Sequence, residues 1–238
     1  MNALITRVSE QCTQTAHIFE SRGITPFIKP MLCLEKLRDV SFKYDNYDYC
    51  ILSSPSAARF FTEIIKDRPL DINNYAVVGE KTAKELLVAI KPKNAIIKPE
   101  RAYTKELLLL LKARDFNGKR VLLAGAKERI QDITEDLQAL GATTDVVDIY
   151  ENVPIIYPAG EVQRLISDNK INIVTFFSPS AVRAFFTQAR LSANIAVVCV
   201  GKTTNETLLN YGVTAIIAQE QSAEGVAEAI LSYGGAKC

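Results

Sequence analysis

One stretch of this chain returns about 120 residues later, and no other sequence feature limits the fold as strongly. Cys50-Ile-Leu-Ser-Ser-Pro-Ser-Ala-Ala-Arg-Phe-Phe-Thr62 comes back as Val174-Thr-Phe-Phe-Ser-Pro-Ser-Ala-Val-Arg-Ala-Phe-Phe186. Tyr75-Ala-Val-Val-Gly-Glu-Lys-Thr82 comes back as Ala196-Val-Val-Cys-Val-Gly-Lys-Thr-Thr204. Gly23 matches Gly141, and Leu4-Ile5 matches Leu122-Leu123. The offsets are 118 at Gly23/Gly141, 124 at Ser54/Ser178 and 122 at Gly79/Gly201, so one alignment spans both halves. A period of this size is too long for a solenoid and suits two domain-sized units. Two similar domains facing each other make a cleft, where function is sought first.

A length of 238 residues fits one large domain or two small ones, and the repeat favours two. Hydrophobic residues make up 48% of the chain, enough for a core in each half. No apolar run is long enough to cross a bilayer, and Asn2-Ala-Leu-Ile-Thr6 reads as a strand, not a signal peptide. The five cysteines (Cys12, Cys33, Cys50, Cys199 and Cys238) form no CxxC pair. They read as reduced thiols in a cytoplasmic protein rather than a disulfide or metal framework. A net charge of +1 supplies no global field for nucleic acid or an acidic membrane, so an anionic ligand must be held by local groups.

Short β-branched runs alternate with amphipathic segments. Strands are predicted near 2–6, 25–28, 47–53, 75–79 and 95–97, then near 120–124, 144–149, 172–177, 195–200 and 214–217. Helices are predicted near 10–22, 55–66, 80–90, 103–114, 128–140, 158–168, 179–189, 203–210 and 222–232. Continuously apolar strands such as Ile195-Ala-Val-Val-Cys-Val200 call for helices on both sheet faces. Alternation of this kind predicts open parallel α/β sheets of flavodoxin-like type. The junction between the repeats, Asp115-Phe-Asn-Gly-Lys119, has the length of an ordinary turn inside a domain. The longer irregular stretches lie at 29–46 and 148–158. The chain is therefore expected to begin in one domain (1–30 with 156–238), to build the second whole (36–148), and to cross twice through a two-stranded linker (31–35 and 149–155). Simple tandem domains are the alternative.

Nearly every matched motif lies where a strand ends and a helix begins. Ser54-Pro55 and Ser178-Pro179, the latter followed by Ser180, combine an N-cap hydroxyl with proline at the first helical position. Gly79 and Gly201 end strands, with Thr82 and Thr203-Thr204 in the turns that follow. Arg7 follows the first strand, and Lys127 with Arg129 follow its repeat partner. Ligands of open parallel sheets bind at the carboxyl ends of strands, and helix N-termini there favour anions. Taken singly, each serine reads equally as an ordinary cap. Taken by location, the set describes a site tolerant of carboxylate or phosphate.

Several familiar chemistries are disfavoured. His17 is the lone histidine, on a predicted helix, which speaks against a Ser-His-Asp triad or a histidine metal site. There is no GxGxxG. Gly201-Lys-Thr203 has the end of a P-loop, but Ala196 stands where its first glycine belongs. A receiver domain needs acidic residues after its first strand, which Thr6-Arg7 and Ala124-Gly125 do not provide.

The ordered set Leu4-Ile-Thr-Arg7, the paired Ser-Pro-Ser-Ala turns, Val78-Gly79 with Thr82, Val146-Val-Asp-Ile-Tyr150 and Val200-Gly-Lys-Thr-Thr204 resembles uroporphyrinogen-III synthase over essentially the entire chain. That resemblance implies two α/β domains on a two-stranded linker and a lyase active in porphyrin (haem and sirohaem) biosynthesis. It implies cyclisation of hydroxymethylbilane, a linear tetrapyrrole polycarboxylate, with inversion of ring D and loss of water, and no metal or organic cofactor. It further implies a monomer whose partners are this small molecule and, in the pathway, the preceding enzyme. Some members carry a basic residue where Ser56 stands here.

The residues suit such a reaction. Hydroxyls and backbone N–H groups at helix N-termini are apt partners for a polycarboxylate. A substrate that also closes unaided needs positioning and electrostatic preorganisation more than a nucleophile. Arg7, Ser54, Gly79, Thr82, Lys127, Arg129, Ser178, Ser180, Thr203 and Thr204 are the expected binding residues. Tyr150, at a strand end, matches the family's tyrosine there and is the expected proton donor to the departing hydroxide; a tyrosine packed in the hinge is the alternative. Without the resemblance, a two-lobed sensor that closes on an anionic small molecule fits the same features.

Overall fold

The computed structural model of the chain describes residues 1–101, 103–127 and 133–235. The described elements run β1 (Asn2–Ile5), α1 (Ser9–Glu20), β2 (Thr25–Ile28), β3 (Leu32–Lys36), β4 (Asn46–Leu52), α2 (Pro55–Ile65), β5 (Asp71–Val77), α3 (Glu80–Ala89) and α4 (Thr104–Lys112). They continue with β6 (Arg120–Ala126), α5 (Thr134–Ala139), β7 (Thr143–Pro154), α6 (Glu161–Asp168), β8 (Ile173–Phe176), α7 (Pro179–Phe186), β9 (Ala196–Cys199), α8 (Lys202–Leu209), β10 (Ile216–Ile217) and α9 (Ala223–Gly235). The chain is a mixed α/β protein with two sheets, ordered β10-β9-β8-β1-β2 and β3-β7-β6-β4-β5. It divides into one compact unit of Met1–Leu34 with Asn152–Cys238 and another of Glu35–Glu151. No described helix is long and apolar enough to cross a membrane.

In the first unit β1 lies between β2 and β8, with Asn2 beside Thr25 and Ala3 beside Ile173, all parallel. Successive side chains of a strand point to opposite faces, and both faces are covered here. Leu4, Val174 and Phe176 pack with Val162 and Ile166 of α6, Val182 and Phe185 of α7, and Leu208 of α8. Ala3, Ile5, Ile173 and Val198 pack on the other side with Cys12 and Phe19 of α1 and Val226 and Ile230 of α9. Two threonines interrupt this apolar interior without leaving polar atoms unpaired. Thr6 Oγ1 donates to the Thr175 carbonyl at 2.7 Å, and Thr175 Oγ1 donates to the Leu4 carbonyl at 2.8 Å.

In the second unit β4 pairs in parallel with β5 and β6, and β6 with β7. One face buries Tyr49, Ile51, Val121 and Leu123 against Leu107 and Leu111 of α4 and Leu137 of α5. Phe61 of α2 is fully buried, edge-on to Tyr75 of β5 at 6.5 Å. β3 lies beside β7, and the flanking hydrogen bonds from Leu37 N–H to Ile149 O and from Ile155 N–H to Met31 O, both 3.0 Å, make that pair antiparallel. The matched glycines Gly23 and Gly141 both have left-handed backbone, with φ of 73° and 86°. Only a residue without Cβ adopts that conformation freely.

The structure departs from the sequence reading at the less apolar segments. β3 falls in a stretch read as irregular, and β7 continues past the strand predicted near 144–149 to Pro154. Both are half-exposed strands that alternate or lose their apolar character, so no continuous hydrophobic run marks them. β5 begins at Asp71, before the apolar Tyr75-Ala-Val77 run. The strand predicted at 95–97 is reduced to a single bridge between Ile97 and Ala76. Helix α5 covers Thr134–Ala139; residues 128–132, the start of the predicted helix, lie outside the described residues.

Candidate functional site

Each unit ends its central strands in helix N-termini of two designs. The first design is a serine cap. Ser54 is extended (φ −151°) and Pro55 supplies the fixed φ of the first helical position, so the Ser54 hydroxyl turns back to accept the Ala57 N–H at 3.0 Å. Ser178 repeats this at α7, accepting from Ala181 N–H at 3.2 Å, with Ser180 half-buried in the first turn.

The second design leaves the cap open. Gly79 and Gly201 precede α3 and α8 in extended conformation and offer no side chain to the first-turn N–H groups. Thr82 and Thr204 occupy the third helical position of these helices, and each is 3% exposed. Neither hydroxyl makes a hydrogen bond among the described residues. Thr203 is exposed. Unsatisfied N–H groups together with the positive end of the helix dipole suit a carboxylate.

The basic candidates sit differently. Arg7 is drawn back along α1: Nε donates to Gln11 Oε1 at 2.6 Å, Nη1 to Thr15 Oγ1 at 3.2 Å, and the guanidinium lies 4.6 Å from the Phe177 ring centroid. Burial lowers its pKa. Arg7 therefore meets the residue before Ser178 but is committed to its own helix. Lys127 pairs with Glu151 at 3.0 Å, while its N–H donates to the Tyr150 carbonyl at 2.9 Å. Arg129 lies outside the described residues.

Two candidates meet through their side chains. Between β6 and β7 the register runs from Gly125 beside Asp148 to Ala126 beside Tyr150, so Ile149 is an extra residue in the ladder. A bulge of this kind re-aims the side chain that follows it. The Tyr150 hydroxyl lies 3.2 Å from Ser54 Oγ, the same oxygen that caps α2. Its ring stacks on Phe60 at 5.1 Å between centroids and 26° between planes, and the Arg59 guanidinium lies 4.5 Å from the Phe60 centroid. Tyr150 is 7% and Phe60 6% exposed. The contact of Phe60 with Tyr150 spans 90 positions and carries no local signal in the sequence.

A family model described as uroporphyrinogen-III synthase HemD matches residues 13–228. The chain belongs to the uroporphyrinogen-III synthase family. The porphyrin biosynthesis protein HemD of Ruminiclostridium josui is 24% identical over 247 residues, covering 98% of this chain and 48% of that protein, so the chain spans about half that relative's length. The uroporphyrinogen-III synthase of Chlorobaculum parvum is 22% identical over 246 residues, covering 95% of this chain and 98% of the relative. The crystal structure of uroporphyrinogen-III synthetase from Helicobacter pylori shares the fold, with a TM-score of 0.63 at 21% identity over 87% of this chain and 92% of that one. Among the features of this uroporphyrinogen-III synthase family member, Ser54 and Tyr150 are the candidates whose hydroxyls lie within hydrogen-bond distance of each other.

Proposed function

We propose that the chain is a cytoplasmic lyase that cyclises hydroxymethylbilane to uroporphyrinogen III, inverting ring D and releasing water without a cofactor. The observation that carries this reading is the family match across residues 13–228. The placement of Tyr150 against an α2 N-terminus supports it. In this mechanism the open first turns of α3 and α8, with Thr82 and Thr204, receive substrate carboxylates, as does the capped turn at Ser178 with Ser180. Thr203, Arg7, Lys127 and Arg129 complete the binding set.

The phenol of Tyr150 gives its proton to the terminal hydroxyl as the carbon–oxygen bond breaks. The electron pair leaves with the oxygen as water, and the pyrrole nitrogen stabilises the resulting azafulvenium. Closure through a spiro intermediate then inverts the ring. Positioning dominates such a step, because the cation forms readily and the contest is with unaided closure to the uninverted isomer.

We also infer that the chain descends from a duplication of one flavodoxin-like unit, its halves joined by a two-stranded linker at 31–35 and 149–155 that separates residues 1–30 with 156–238 from residues 36–148. Supporting this, the order β9-β8-β1-β2 matches β5-β4-β6-β7 strand for strand under the sequence repeat, with the Ile97 bridge in the place of β10. The antiparallel pairing of β3 and β7 supports the linker.

Incubation of the protein with hydroxymethylbilane, followed by separation of the uroporphyrinogen isomers, tests the activity. Formation of isomer III above the unaided background supports it. Binding of the bilane without turnover would instead indicate a tetrapyrrole-binding protein.

A further inference from the structure

Resting on the reading of Tyr150 as proton donor, we propose that Ser54 and Phe60 are positioning residues for that phenol, and that Ser54 acts by donating its own hydrogen bond to the tyrosine oxygen rather than by binding a substrate carboxylate. The Ser54 oxygen accepts the Ala57 N–H at 3.0 Å and lies 3.2 Å from the Tyr150 oxygen. Only one of these two hydroxyls can donate to the other. If the tyrosine proton is to reach the leaving hydroxyl, the phenol O–H points away from Ser54, so Ser54 must be the donor of the pair.

The direction matters electrostatically. As Tyr150 passes its proton to the departing oxygen, negative charge develops on the phenol oxygen. A hydrogen bond to a charged oxygen is stronger than one to a neutral oxygen. The Ala57 N–H, donated into Ser54, polarises the serine hydroxyl in the same sense, a cooperative chain. The chain begins at the first turn of α2, whose dipole places positive charge at that end. A Ser54 bound to a substrate carboxylate would spend its single proton there and leave the nascent phenolate without this donor. The proton released when the inverted ring regains aromaticity restores the phenol, so proton count and charge balance over the cycle.

Phe60 supplies the second restraint. It lies two turns into the same helix that Ser54 caps, and its ring is stacked on Tyr150 at 5.1 Å. The hydroxyl and the ring of Tyr150 are thus both referred to one rigid element. Neither restraint is a property of β7, which carries the tyrosine.

The test is a double-mutant cycle read on kcat and KM with hydroxymethylbilane. Ser54→Gly removes the hydroxyl while remaining an acceptable N-cap, and Ser54→Thr keeps a hydroxyl there. Ser54→Gly is expected to lower kcat roughly tenfold with KM little changed, the size of one hydrogen bond to a charged group, and Ser54→Thr to recover most of that loss. In a Tyr150→Phe background Ser54→Gly should cost nothing further, because the group it serves is gone. Phe60→Leu, which retains apolar volume, should lower kcat in the wild type and not in Tyr150→Phe. Additive losses, or a Ser54→Gly effect confined to KM, would overturn the proposal and return Ser54 to carboxylate binding. Wild-type kcat in Tyr150→Phe alone would instead sink the proton-donor reading beneath it.

Discussion

At the scale of single residues, the hydroxyls divide by what already holds them. Ser54 and Ser178 are committed to caps, whereas Thr82 and Thr204 have no partner among the described residues despite being 3% exposed. Replacing either threonine by valine keeps the shape and removes only the hydroxyl. Because no intramolecular bond is lost, the melting temperature should stay within the change set by about 0.5 kcal/mol, while KM for the bilane rises several-fold. Unchanged KM in both variants would remove these hydroxyls from the site. Tyr150→Phe keeps the ring stack on Phe60, so the fold should survive and kcat should fall by no more than ~10²-fold, at the lower end of general acid assistance. The enzyme-formed product should remain the inverted isomer, and a switch to the uninverted one at undiminished consumption would give the tyrosine a geometric role instead.

At the scale of elements, Gly225 in the first turn of α9 tests how tightly a helix can be set against the loop before it. A Cβ there would lie 2.3 Å from the Glu220 carbonyl oxygen, so the backbone itself must move. Alanine is the better helix former by about 1 kcal/mol, yet Gly225→Ala should lower stability by about 1–3 kcal/mol through overpacking. A melting temperature equal to or above wild type would show that the turn yields. The elements most legible in the sequence are those buried on both faces: β1, β6, β8 and β9 announce themselves as apolar runs, and α2 and α7 by their Ser-Pro starts. β3 and the far end of β7 pair with each other at an edge and are half-exposed, which erases that signal. The strand-end candidates stand out in the sequence because the repeat marks them twice. The approach of Tyr150 to Ser54 was not, since it depends on β6 lying between β4 and β7 and on one extra residue at Ile149.

At the scale of the whole molecule, both units bury acidic protons that resist release. Burial pushes the Cys12 thiol up to about 11 and raises Cys199 in the first unit, and it raises Cys50 and Tyr75 in the second. An unfolded thiol ionises near ~8.5. Above that pH the unfolded chain binds fewer protons than the folded one, so these groups contribute stability that is fully present below about pH 8.5 and is lost as pH rises toward 11. Urea midpoints should be level from pH 7 to 8 and fall steadily from pH 9 to 11; a flat profile would mean the thiols become accessible without unfolding. The division of the chain has a consequence in time as well. In the first sheet β1 is made before β8, its neighbour on one side, which lies about 170 residues later, Ala3 waiting for Ile173. At cellular rates of synthesis that is roughly ten to thirty seconds. Residues 35–151 form a unit whose strands and helices are all present well before β8 is made. On the ribosome, therefore, the unit encoded between β2 and β8 is able to close first, while β1, with β2 already available on one side, waits for β8 on the other.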